Sequence, residues 1–551
     1  MEISEIFTKK NIEILKLLFR EKHYIREIAD KLNISPAKVH NSIQIFKKNN
    51  LINETKEKNK IIISLNKDNV LLKNIEFIIN EKETKDTSEK INLFDTISPL
   101  DFRYYGRNEK IKQKLQPYLS ETAFVKYSAK VEAALTRTLA KNNICSKKIA
   151  DEVESASKQV SPEEVYQEED RIKHNIRALV NAIRDKVSVE AKPYVHMSAT
   201  SFDIFNTAEA VRYKEFTNNV LLPELIKFEK TLINLSLREK NTIQVGRTHG
   251  QHAVPLTFGF AVSQFVSRLG HSILKIKRSA NNLRGKISGA VGAYNTYSLF
   301  FKDPEKFEEQ VLSELDLKPS PISTQVVEAE YLVTYINSVI EAFGILANLS
   351  DDMRNLQRSE IAEIGEQFEK KQVGSSTMPQ KRNPINFENV KSMWKEFMPR
   401  IITVYSDQIS EHQRDLTNSA SSRFIPEILA GFFTSVVRLD KTMSKLVVDK
   451  KNLQKNFNMN KDLIIAEPLY IILAALGHPD AHEAVRELTL KAQSSNKPMT
   501  GLLKNEKSLQ QYLKKFSKKQ LEIINNPEKY TGIASEKTQS VCNFWKKQLK
   551  I

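Results

Sequence analysis

The residues with the clearest chemical potential lie in a short loop at 374–384, which reads GSSTMPQKRNP. The loop opens on glycine and carries two adjacent hydroxyls, a cation and an amide. Either Ser375 or Ser376 can take a proton from carbon if its own pKa is lowered. Lys381 and Asn383 can hold a carboxylate on which negative charge builds. The loop therefore predicts removal of a proton from the carbon next to a carboxylate.

A second stretch, residues 245–253, reads VGRTHGQHA and places His249 between Thr248 and a Gly-Gln pair. Histidine suits the protonation of a departing amine, because it titrates near neutral pH. A lone histidine is more often a structural hydrogen-bonding group, and that is our interpretation of His252 and His271. The sequence thus offers a candidate acid to complement the candidate base in the loop.

Four further stretches carry hydroxyls, amides and arginines. They read SPLDFRY at 98–104, HMSATSFD at 196–203, PISTQ at 321–325 and QRDLTNS at 413–419, the last followed by Arg423. Guanidinium groups suit phosphate because they present forked donors. Taken alone, Arg414 and Arg423 would be interpreted as solvated surface charges.

Together these motifs resemble the adenylosuccinate lyases of the fumarase/aspartase superfamily. Residues 374–384 match the flexible signature loop of the superfamily, and the run RTHGQ resembles adenylosuccinate lyase in particular. Argininosuccinate lyases and fumarases usually have leucine after the histidine. The resemblance extends from about residue 98 to the C-terminus. Three positions depart from it: Phe102 and Ser198 replace glycines, and Asn175 replaces the aspartate that usually follows His174.

The resemblance implies the roles of the catalytic residues. Ser375 would take the Cβ proton, with Ser376 as the second choice. His249, oriented by Glu388, would protonate the leaving nitrogen, and His174 is a further catalytic candidate. Lys381 and Asn383 would stabilise the negative charge that develops on the substrate carboxylate.

The resemblance also implies a substrate-binding set. Thr200 and Ser201 would hold the succinyl carboxylates, and arginines would hold the phosphate. With Lys381 and Asn383, the other members of the set are Arg103, Tyr104, His196, Asp203, Thr248, Gln325, Met378, Arg414, Ser419 and Arg423.

The reactions implied by the resemblance release fumarate from adenylosuccinate, giving AMP, and from the succinylcarboxamide intermediate of purine synthesis (SAICAR), giving AICAR. Neither requires a metal or a cofactor. The family forms homotetramers whose active sites draw on several subunits, so an isolated monomer should be inactive. Two alternatives remain: another superfamily lyase such as argininosuccinate lyase, or a purine-sensing transcription regulator with a lyase-like body.

The elements that must position these residues are predicted to be long helices. Apolar residues recur at three- and four-residue spacing in Phe265, Leu269, Ile273 and Ile276, and again from Leu332 to Leu346. The predicted fold class is therefore mainly all-α, and the resemblance implies a fumarase/aspartase-type long-helix bundle in three helical parts. We expect an N-terminal part at 96–203, a central bundle at 204–450 and a C-terminal part at 451–551.

A separate module precedes this body. Residues 1–80 show amphipathic helical spacing, a turn, a helix predicted to begin at Ser35-Pro36, and then a polar hairpin tip at 54–60. The order resembles a winged helix-turn-helix, which makes duplex DNA a candidate partner. The outward residues of the predicted recognition helix are Lys38, Asn41, Gln44 and Lys48. The alternative is a module used for dimerisation or retained as a relic. A charged linker is predicted at 81–95.

The composition of the chain limits the kinds of ligand, the fold class and the cellular compartment that are expected. The 551 residues carry a net charge of +17, which suits polyanionic ligands but also follows from lysine-rich composition. Only 15 glycines favour long helices over a turn-rich β architecture. The two cysteines, Cys145 and Cys542, support neither a disulfide framework nor a metal site, so a reducing cytoplasm is expected. The longest apolar run, near residues 469–476, is predicted to be a core helix, and no membrane association is expected.

Overall fold

The chain folds into two compact units, residues 1–96 and 97–551. The computed structural model describes residues 8–57, 60–69, 72, 75, 92–369 and 371–551. Most of the predicted linker, residues 81–91, lies outside the described residues, as do residues 58–59 at the predicted hairpin tip.

The first unit is the winged helix-turn-helix that the sequence predicts. Its elements are α1 (Lys9–Arg20), β1 (His23–Tyr24), α2 (Ile25–Leu32), α3 (Pro36–Lys48), β2 (Ile52–Glu57) and β3 (Lys60–Leu65). The antiparallel sheet has the order β1-β3-β2. Asn33 ends α2 with a φ of 52°, and Ser35 is the N-cap before Pro36, which pre-sets the first turn of α3. Apolar side chains of all three helices form one core, with Ile14, Ile28 and Phe46 fully buried.

The second unit is predominantly helical, as the sequence predicts. Its α-helices are α4 (Glu109–Leu119), α5 (Glu121–Lys141), α6 (Lys147–Gln159), α7 (Pro162–Ile172), α8 (Asn175–Arg184), α9 (Ser201–Phe216), α10 (Leu222–Arg238), α11 (Phe258–Asn281), α12 (Pro304–Ser313), α13 (Glu330–Leu356), α14 (Ile385–Phe397), α15 (Arg400–Ser406), α16 (Ile425–Met443), α17 (Lys450–Met459), α18 (Lys461–Ile464), α19 (Ala466–Ala475), α20 (Ala481–Ser495), α21 (Met499–Asn505), α22 (Gln510–Leu513), α23 (Lys518–Asn525) and α24 (Ala534–Leu549).

Short strands and tight helical turns connect these helices. The strands pair as β4 (Ile243–Thr248) with β5 (Gln251–Thr257), β6 (Arg284–Gly285) with β7 (Lys318–Pro319), and β8 (Ile364–Gly365) with β9 (Val447–Val448). The π-helical turns are Leu100–Tyr105 and Thr217–Leu221. The 3-10 turns of the second unit are Lys192–Tyr194, Tyr297–Leu299, Ser421–Phe424, Lys507–Leu509 and Pro527–Lys529. One more 3-10 turn, Leu93–Asp95, lies near the end of the first unit.

The main core is built on the two longest helices, α11 and α13, which pack against each other. Helix α10 packs on α11, while α14 and α16 pack on α13. In the described chain, α13 is the one helix long and apolar enough to cross a bilayer by length and composition. However, 67 % of its most apolar stretch is buried inside the unit, so it serves as a core helix. The sequence had placed the longest apolar run elsewhere, at 469–476.

The three predicted helical parts share their cores. Buried side chains from 96–203 and 204–450 belong to one continuous core. The C-terminal part contributes to three cores. Leu469, Val485 and Met499 belong to a separate cluster, and Cys542 and Trp545 of α24 pack into the main core. Phe457 and Ile464 form a third, small cluster with Val245 of β4.

One buried carboxyl group lacks any stabilising partner. Glu229 on α10 is fully buried, and neither of its carboxyl oxygens has a hydrogen-bond partner among the described residues. Burial raises the pKa of Glu229 to about 9, since the charged form would be desolvated. The native protein therefore keeps this proton at neutral pH, whereas the unfolded chain releases it near pH 4.5.

We expect Glu229→Gln to reduce the loss of stability on going from pH 5 to pH 9. The native pKa lies above the unfolded one, so the wild type loses about 1.4 kcal/mol per pH unit between them, an upper bound for one group. Urea unfolding at pH 5, 7 and 9 measures this loss. Glu309→Gln on the exposed face of α12 is the matched control and should keep the wild-type profile. Parallel pH profiles for Glu229→Gln and wild type would contradict the assignment.

Candidate active site

The loop at 374–384 connects β8 to α14 and folds back on itself. Asn383 donates from Nδ2 to the carbonyl oxygen of Gly374 at 2.9 Å, which joins the two ends of the loop. A Cβ atom at Gly374 would overlap the carbonyl oxygen of Lys381, so only glycine fits there. Lys381 and Met378 are exposed. The hydrogen bond between its two ends therefore closes the loop, and the side chains of Met378 and Lys381 face solvent.

The two candidate bases in this loop have different surroundings. The Ser375 hydroxyl oxygen accepts hydrogen bonds from the backbone N–H groups of Thr377, at 3.3 Å, and Met378, at 3.1 Å. Ser376 is exposed, and the described chain gives its hydroxyl no hydrogen bond. Two amide donors favour negative charge on an oxygen. This geometry can therefore stabilise an alkoxide at Ser375.

Helix α14 links the loop to the Arg103-Tyr104 pair. Asn389 donates from Nδ2 to the Tyr104 hydroxyl at 2.9 Å. Glu388, one residue earlier, is exposed and has no side-chain hydrogen bond or ion pair among the described residues. Arg103 is also exposed. We call residues 103–104 and 374–389 the loop group.

His249 occupies the tip of the β4–β5 hairpin. His249 and Gly250 form a two-residue turn with φ of 54° and 75°, and Thr248 pairs with Gln251 beside it. Positive φ at both turn residues matches the right-handed twist of a hairpin, but histidine adopts it less readily than glycine. His249 is exposed, and no described residue forms a hydrogen bond with its ring. We call Thr248 and His249 the hairpin group.

A buried carboxylate anchors this hairpin. Glu363 accepts from Arg247 at 2.5 Å, from Gln244 at 2.8 Å and from Asn456 at 2.9 Å. His252 Nδ1 lies 3.2 Å from Asn460 Nδ2, in keeping with the structural role expected for it. These contacts of Glu363 hold the β4–β5 hairpin in place. The backbone of the hairpin therefore sets the position of His249.

A third set of residues begins at a turn before α9. His196 has a φ of 65°, and its Nδ1 lies 2.6 Å from the fully buried carboxylate of Glu132 on α5. Burial opposes the charged imidazole, but the neighbouring carboxylate outweighs it and raises the pKa of His196. Ser198 has a φ of 67°, and its carbonyl oxygen accepts from Thr296 at 2.9 Å. The left-handed backbone conformation, which usually requires glycine, is therefore adopted by serine at this position.

Asp203 holds this turn to the rest of the unit. It is fully buried, forms an ion pair with the equally buried Lys286, and accepts from the backbone N–H of Thr200 at 2.9 Å. The N–H groups of Ser288 and Gly289 also donate to it, at 3.1 Å and at 3.2–3.3 Å. These bonds fix Thr200 and Ser201 at the N-terminus of α9. Asp203 thus acts on the site by positioning other residues, with its own oxygens already occupied.

The same network extends to the other predicted binding segments. Ser288 and Ser323 share a hydrogen bond of 2.7 Å between their hydroxyls. The backbone N–H of Gln325 then donates to the carbonyl oxygen of Gln413 at 3.1 Å. This brings Thr200, Ser201 and Gln325 to the same side of the unit as the segment that starts at Gln413.

The predicted phosphate-binding residues of this segment differ in exposure. Two guanidinium nitrogens of Arg414, Nε and Nη2, are buried without a hydrogen-bond partner among the described residues. Ser419 and Arg423 are exposed. Arg423 lines a cavity of about 380 Å³ together with Asn175, the residue after His174.

His174 completes this third set. It is exposed, and its Nδ1 accepts from the backbone N–H of Arg177 at 3.2 Å, so the proton of the neutral ring lies on Nε2. We call His174, residues 196–203, Gln325 and residues 413–423 the helix group.

The structure therefore distributes the predicted site over three groups. Among the described residues, no hydrogen bond or ion pair joins the hairpin group to Glu388 or to the helix group. Sequence inspection missed the supporting residues Glu132, Lys286 and Glu363, each fully buried. A signal existed for Glu132, which interrupts the otherwise apolar run from Val131 to Leu135, but its partner could not be inferred.

Three family profiles match the chain. The profile described as Lyase matches residues 83–398, and Adenylosuccinate lyase C-terminal matches residues 410–531. Bacterial regulatory protein, arsR family, matches residues 8–54 and supports the winged helix-turn-helix assignment.

Similar proteins cover nearly all of the second unit. The adenylosuccinate lyase of Archaeoglobus fulgidus is 33 % identical over 461 residues, covering 82 % of this chain and 100 % of the relative. That of Pyrococcus horikoshii is 35 % identical over 460 residues, covering 81 % and 98 %. The solved 3-carboxy-cis,cis-muconate lactonizing enzyme of Pseudomonas putida has a TM-score of 0.69 at 21 % identity, covering 79 % of this chain and 97 % of that one. At that identity the likeness shows the fold alone.

We expect Lys286→Met to destabilise the second unit by about 3–5 kcal/mol, because it leaves the Asp203 charge buried and unpaired. Denaturant unfolding of the full chain measures this loss. Adding Asp203→Asn should recover much of the loss, since the remaining group is neutral. Lys306→Met, an exposed position on α12, serves as the control for removing a lysine. An unchanged unfolding midpoint for Lys286→Met would contradict the role of the pair.

Proposed function

The chain belongs to the adenylosuccinate lyase family, and on that premise we propose that it splits adenylosuccinate into AMP and fumarate. We extend the proposal to SAICAR, which would release AICAR and fumarate by the same chemistry in purine synthesis. The observation that carries the proposal is the Ser375 oxygen held by two amide donors inside a loop that also presents Lys381 and Asn383. We place the enzyme in the cytoplasm, in keeping with its two sequence-distant cysteines.

In the proposed mechanism, Ser375 removes the proton from the succinyl Cβ. The amides of Thr377 and Met378 stabilise the charge on its oxygen. Ser376 remains the second choice. Lys381 and Asn383 hold the carboxylate on which charge accumulates as the carbanion forms. One N–H of the Asn383 amide is bound to Gly374, which leaves the other for the substrate.

His249 then protonates the nitrogen as its bond to carbon breaks, and Glu388 orients the imidazole. Both side chains are exposed and without partners among the described residues of one chain. We infer that they meet between subunits of a homotetramer, which completes the site. Large exposed apolar side chains support association: Ile402 is 67 % and Ile409 is 79 % exposed.

Substrate binding follows the helix group. Thr200, Ser201 and Gln325 receive the succinyl carboxylates at the N-terminus of α9, where backbone N–H groups favour anions. Arg414, Ser419 and Arg423, with Arg103 and Tyr104, receive the phosphate. His174 is kept as a further catalytic candidate, and the remaining predicted residues, His196, Thr248 and Met378, are assigned to the walls of the assembled site.

The identities of the relatives favour this proposal over argininosuccinate lyase, because their printed names are adenylosuccinate lyase. A purified full-length chain assayed by absorbance on adenylosuccinate and on argininosuccinate separates the two. Turnover of adenylosuccinate alone is the expected result. A regulator with an inactive lyase-like body would turn over neither.

A second function, DNA binding, is supported by the surface of α3. Lys38, Asn41, Gln44 and Lys48 are all exposed, as expected for a recognition helix. The acids of the wing are neutralised locally, because Lys47 pairs with Glu54 at 2.5 Å and Lys22 pairs with Glu57 at 3.1 Å. Repulsion between the wing and a phosphate backbone is reduced accordingly.

We expect Ser375→Ala to lower kcat by at least ~10²-fold, with little change in oligomeric state, since the hydroxyl acts in the transition state. Steady-state kinetics on adenylosuccinate and size-exclusion chromatography measure the two effects. Ser376→Ala is the matched control. An inactive Ser376→Ala beside an active Ser375→Ala would move the base by one residue, and two active variants would refute the mechanism.

For the first unit, we expect full-length protein to bind random duplex DNA with an affinity that falls steeply as salt rises. Each phosphate contact should contribute about one unit to the log–log slope. Lys38→Ala/Lys48→Ala should weaken binding and lower the slope, as measured by fluorescence anisotropy, without changing lyase activity. Lys10→Ala on α1 is the control. Equal binding by all three proteins would show that α3 does not contact DNA.

A further inference from the structure

Helix α5 carries a buried carboxylate that has one partner. Glu132 is fully buried within the apolar run from Val131 to Leu135. Its Oε1 lies 2.6 Å from Nδ1 of His196, whereas its Oε2 has no hydrogen-bond partner among the described residues. Within that part of the chain, no other cation forms an ion pair with Glu132. The His196 ring is therefore the group that can offset the charge of this carboxylate.

The proton shared by these two groups belongs on the ring. An imidazole is a stronger base than a carboxylate. A neutral ring would also leave the Glu132 carboxylate with an uncompensated charge in the core, which is strongly unfavourable. Glu132 therefore favours the imidazolium form of His196, in which Nδ1–H is donated to Oε1.

Other charged and titratable groups surround the pair. They are Arg177 on α8, Asp203 on α9 with its partner Lys286, and Tyr297 in a 3-10 turn. Burial is the largest influence on the ring and disfavours its charge, and Arg177 disfavours it further. Glu132, assisted by Asp203, outweighs both, so the pKa of His196 is raised. The contact with Glu132 therefore decides the charge of the ring.

The second nitrogen of the ring is open to a ligand. The His196 side chain is 17 % exposed, and its Nε2 is accessible to solvent and forms no hydrogen bond with any described residue. The backbone N–H of Ala199 donates to the carbonyl oxygen of His196 at 3.3 Å, which closes the turn that leads to Thr200. Just before the ring, the carbonyl oxygen of Tyr194 accepts from Thr136 on α5 at 3.5 Å. The backbone on both sides of the ring is therefore held in place.

The proton on Nε2 decides what the ring can bind. Because Nδ1–H is occupied by Glu132, Nε2 of a neutral ring would be an acceptor, and an acceptor repels an anion. Nε2 of the imidazolium is a charged donor instead, and charge-assisted hydrogen bonds to carboxylate or phosphate are the strong ones. Binding of an anion at this nitrogen thus depends on the protonated ring.

We propose that Glu132 is a positioning residue, which fixes His196 as an imidazolium and so makes substrate affinity depend on pH. The place of His196 in the wall of the site belongs to the proposed lyase function, on which the inference rests for the identity of the anionic substrate. The control of its charge by Glu132 goes beyond that function. Glu132 itself touches no reacting atom and transfers no proton to the substrate.

NMR of full-length protein labelled with ¹³C at the histidine Cε1 atoms measures the protonation of His196 without any turnover. His196→Asn identifies the signal. Glu132→Gln keeps the shape of the side chain and leaves no charge in the core, so we expect a folded protein in which the pKa of His196 is lowered. Glu132→Asp should restore part of the wild-type pKa. An unchanged titration of His196 in Glu132→Gln overturns the proposal.

Steady-state kinetics on adenylosuccinate between pH 6 and pH 9 measures the consequence for binding. KM should rise as His196 loses its proton, and in Glu132→Gln the rise should begin at a lower pH than in the wild type. Between the two midpoints the variant should have a KM about 10-fold higher, with a smaller change in kcat. Below both midpoints the two KM values should converge, and Glu132→Asp should lie between them.

Glu224→Gln on α10 is the matched control. It removes a carboxylate that is 4 % exposed and pairs with Lys114 and Lys227 instead of a histidine. It should leave the titration of His196 and the pH dependence of KM unchanged.

A merely structural role of Glu132 would change activity by the same factor at every pH, and that result overturns the proposal. So does a shifted titration of His196 with an unshifted KM profile. Failure of the lyase assignment is distinguishable from both. If the protein does not cleave adenylosuccinate, the proposed function fails, while the NMR titration still decides whether Glu132 sets the charge of His196.

Discussion

The side of the second unit that carries Thr200 and Ser201 depends on one buried carboxylate, that of Asp203. Burying a charge costs several kcal/mol unless it is paired and hydrogen-bonded. Lys286 supplies the opposite charge, and backbone N–H groups of Thr200, Ser288 and Gly289 satisfy the other acceptor positions. Because these donors come from separate segments, satisfying one group locks the start of α9 against the loop that follows β6. The polar interaction sets an arrangement that apolar packing could not specify by itself.

The long helices impose a second constraint, which concerns distance. The hairpin group and the loop group lie at the ends of rigid elements, and each is anchored within its own surroundings, the hairpin by Glu363 and the loop by its closure through Asn383. Among the described residues, no hydrogen bond or ion pair joins the two groups within one chain. This is why the proposed function places the contact between His249 and Glu388 at a subunit boundary.

The sequence allowed much of this to be predicted. Helical spacing predicted long helices, and the family resemblance supplied the type of bundle. Local motifs located the loop, the hairpin and the Thr200-Ser201 pair, because their chemistry is encoded in consecutive residues. The supporting contacts were not predictable. Lys286 lies 83 residues from Asp203, and Glu132 lies 64 residues from His196, so only the folded chain reveals them. Ser198 replaces a glycine of the family motif, yet it adopts the left-handed conformation, and its carbonyl oxygen accepts a hydrogen bond from Thr296.

The backbone turn at His249 and Gly250 has a consequence for how this protein tolerates damage. The hairpin is held by strand pairing and by Glu363, and among the described residues the imidazole contributes no hydrogen bond to that framework. Asparagine tolerates the left-handed conformation well, so a histidine-to-asparagine change at this tip would remove the acid while leaving the fold intact. Cellular chaperones and proteases act on unfolded chains, so they would not remove such a folded subunit. If the proposed tetramer forms, altered copies made together with wild-type copies would persist at full abundance and enter mixed tetramers. The loss of activity would then extend beyond the altered chains themselves.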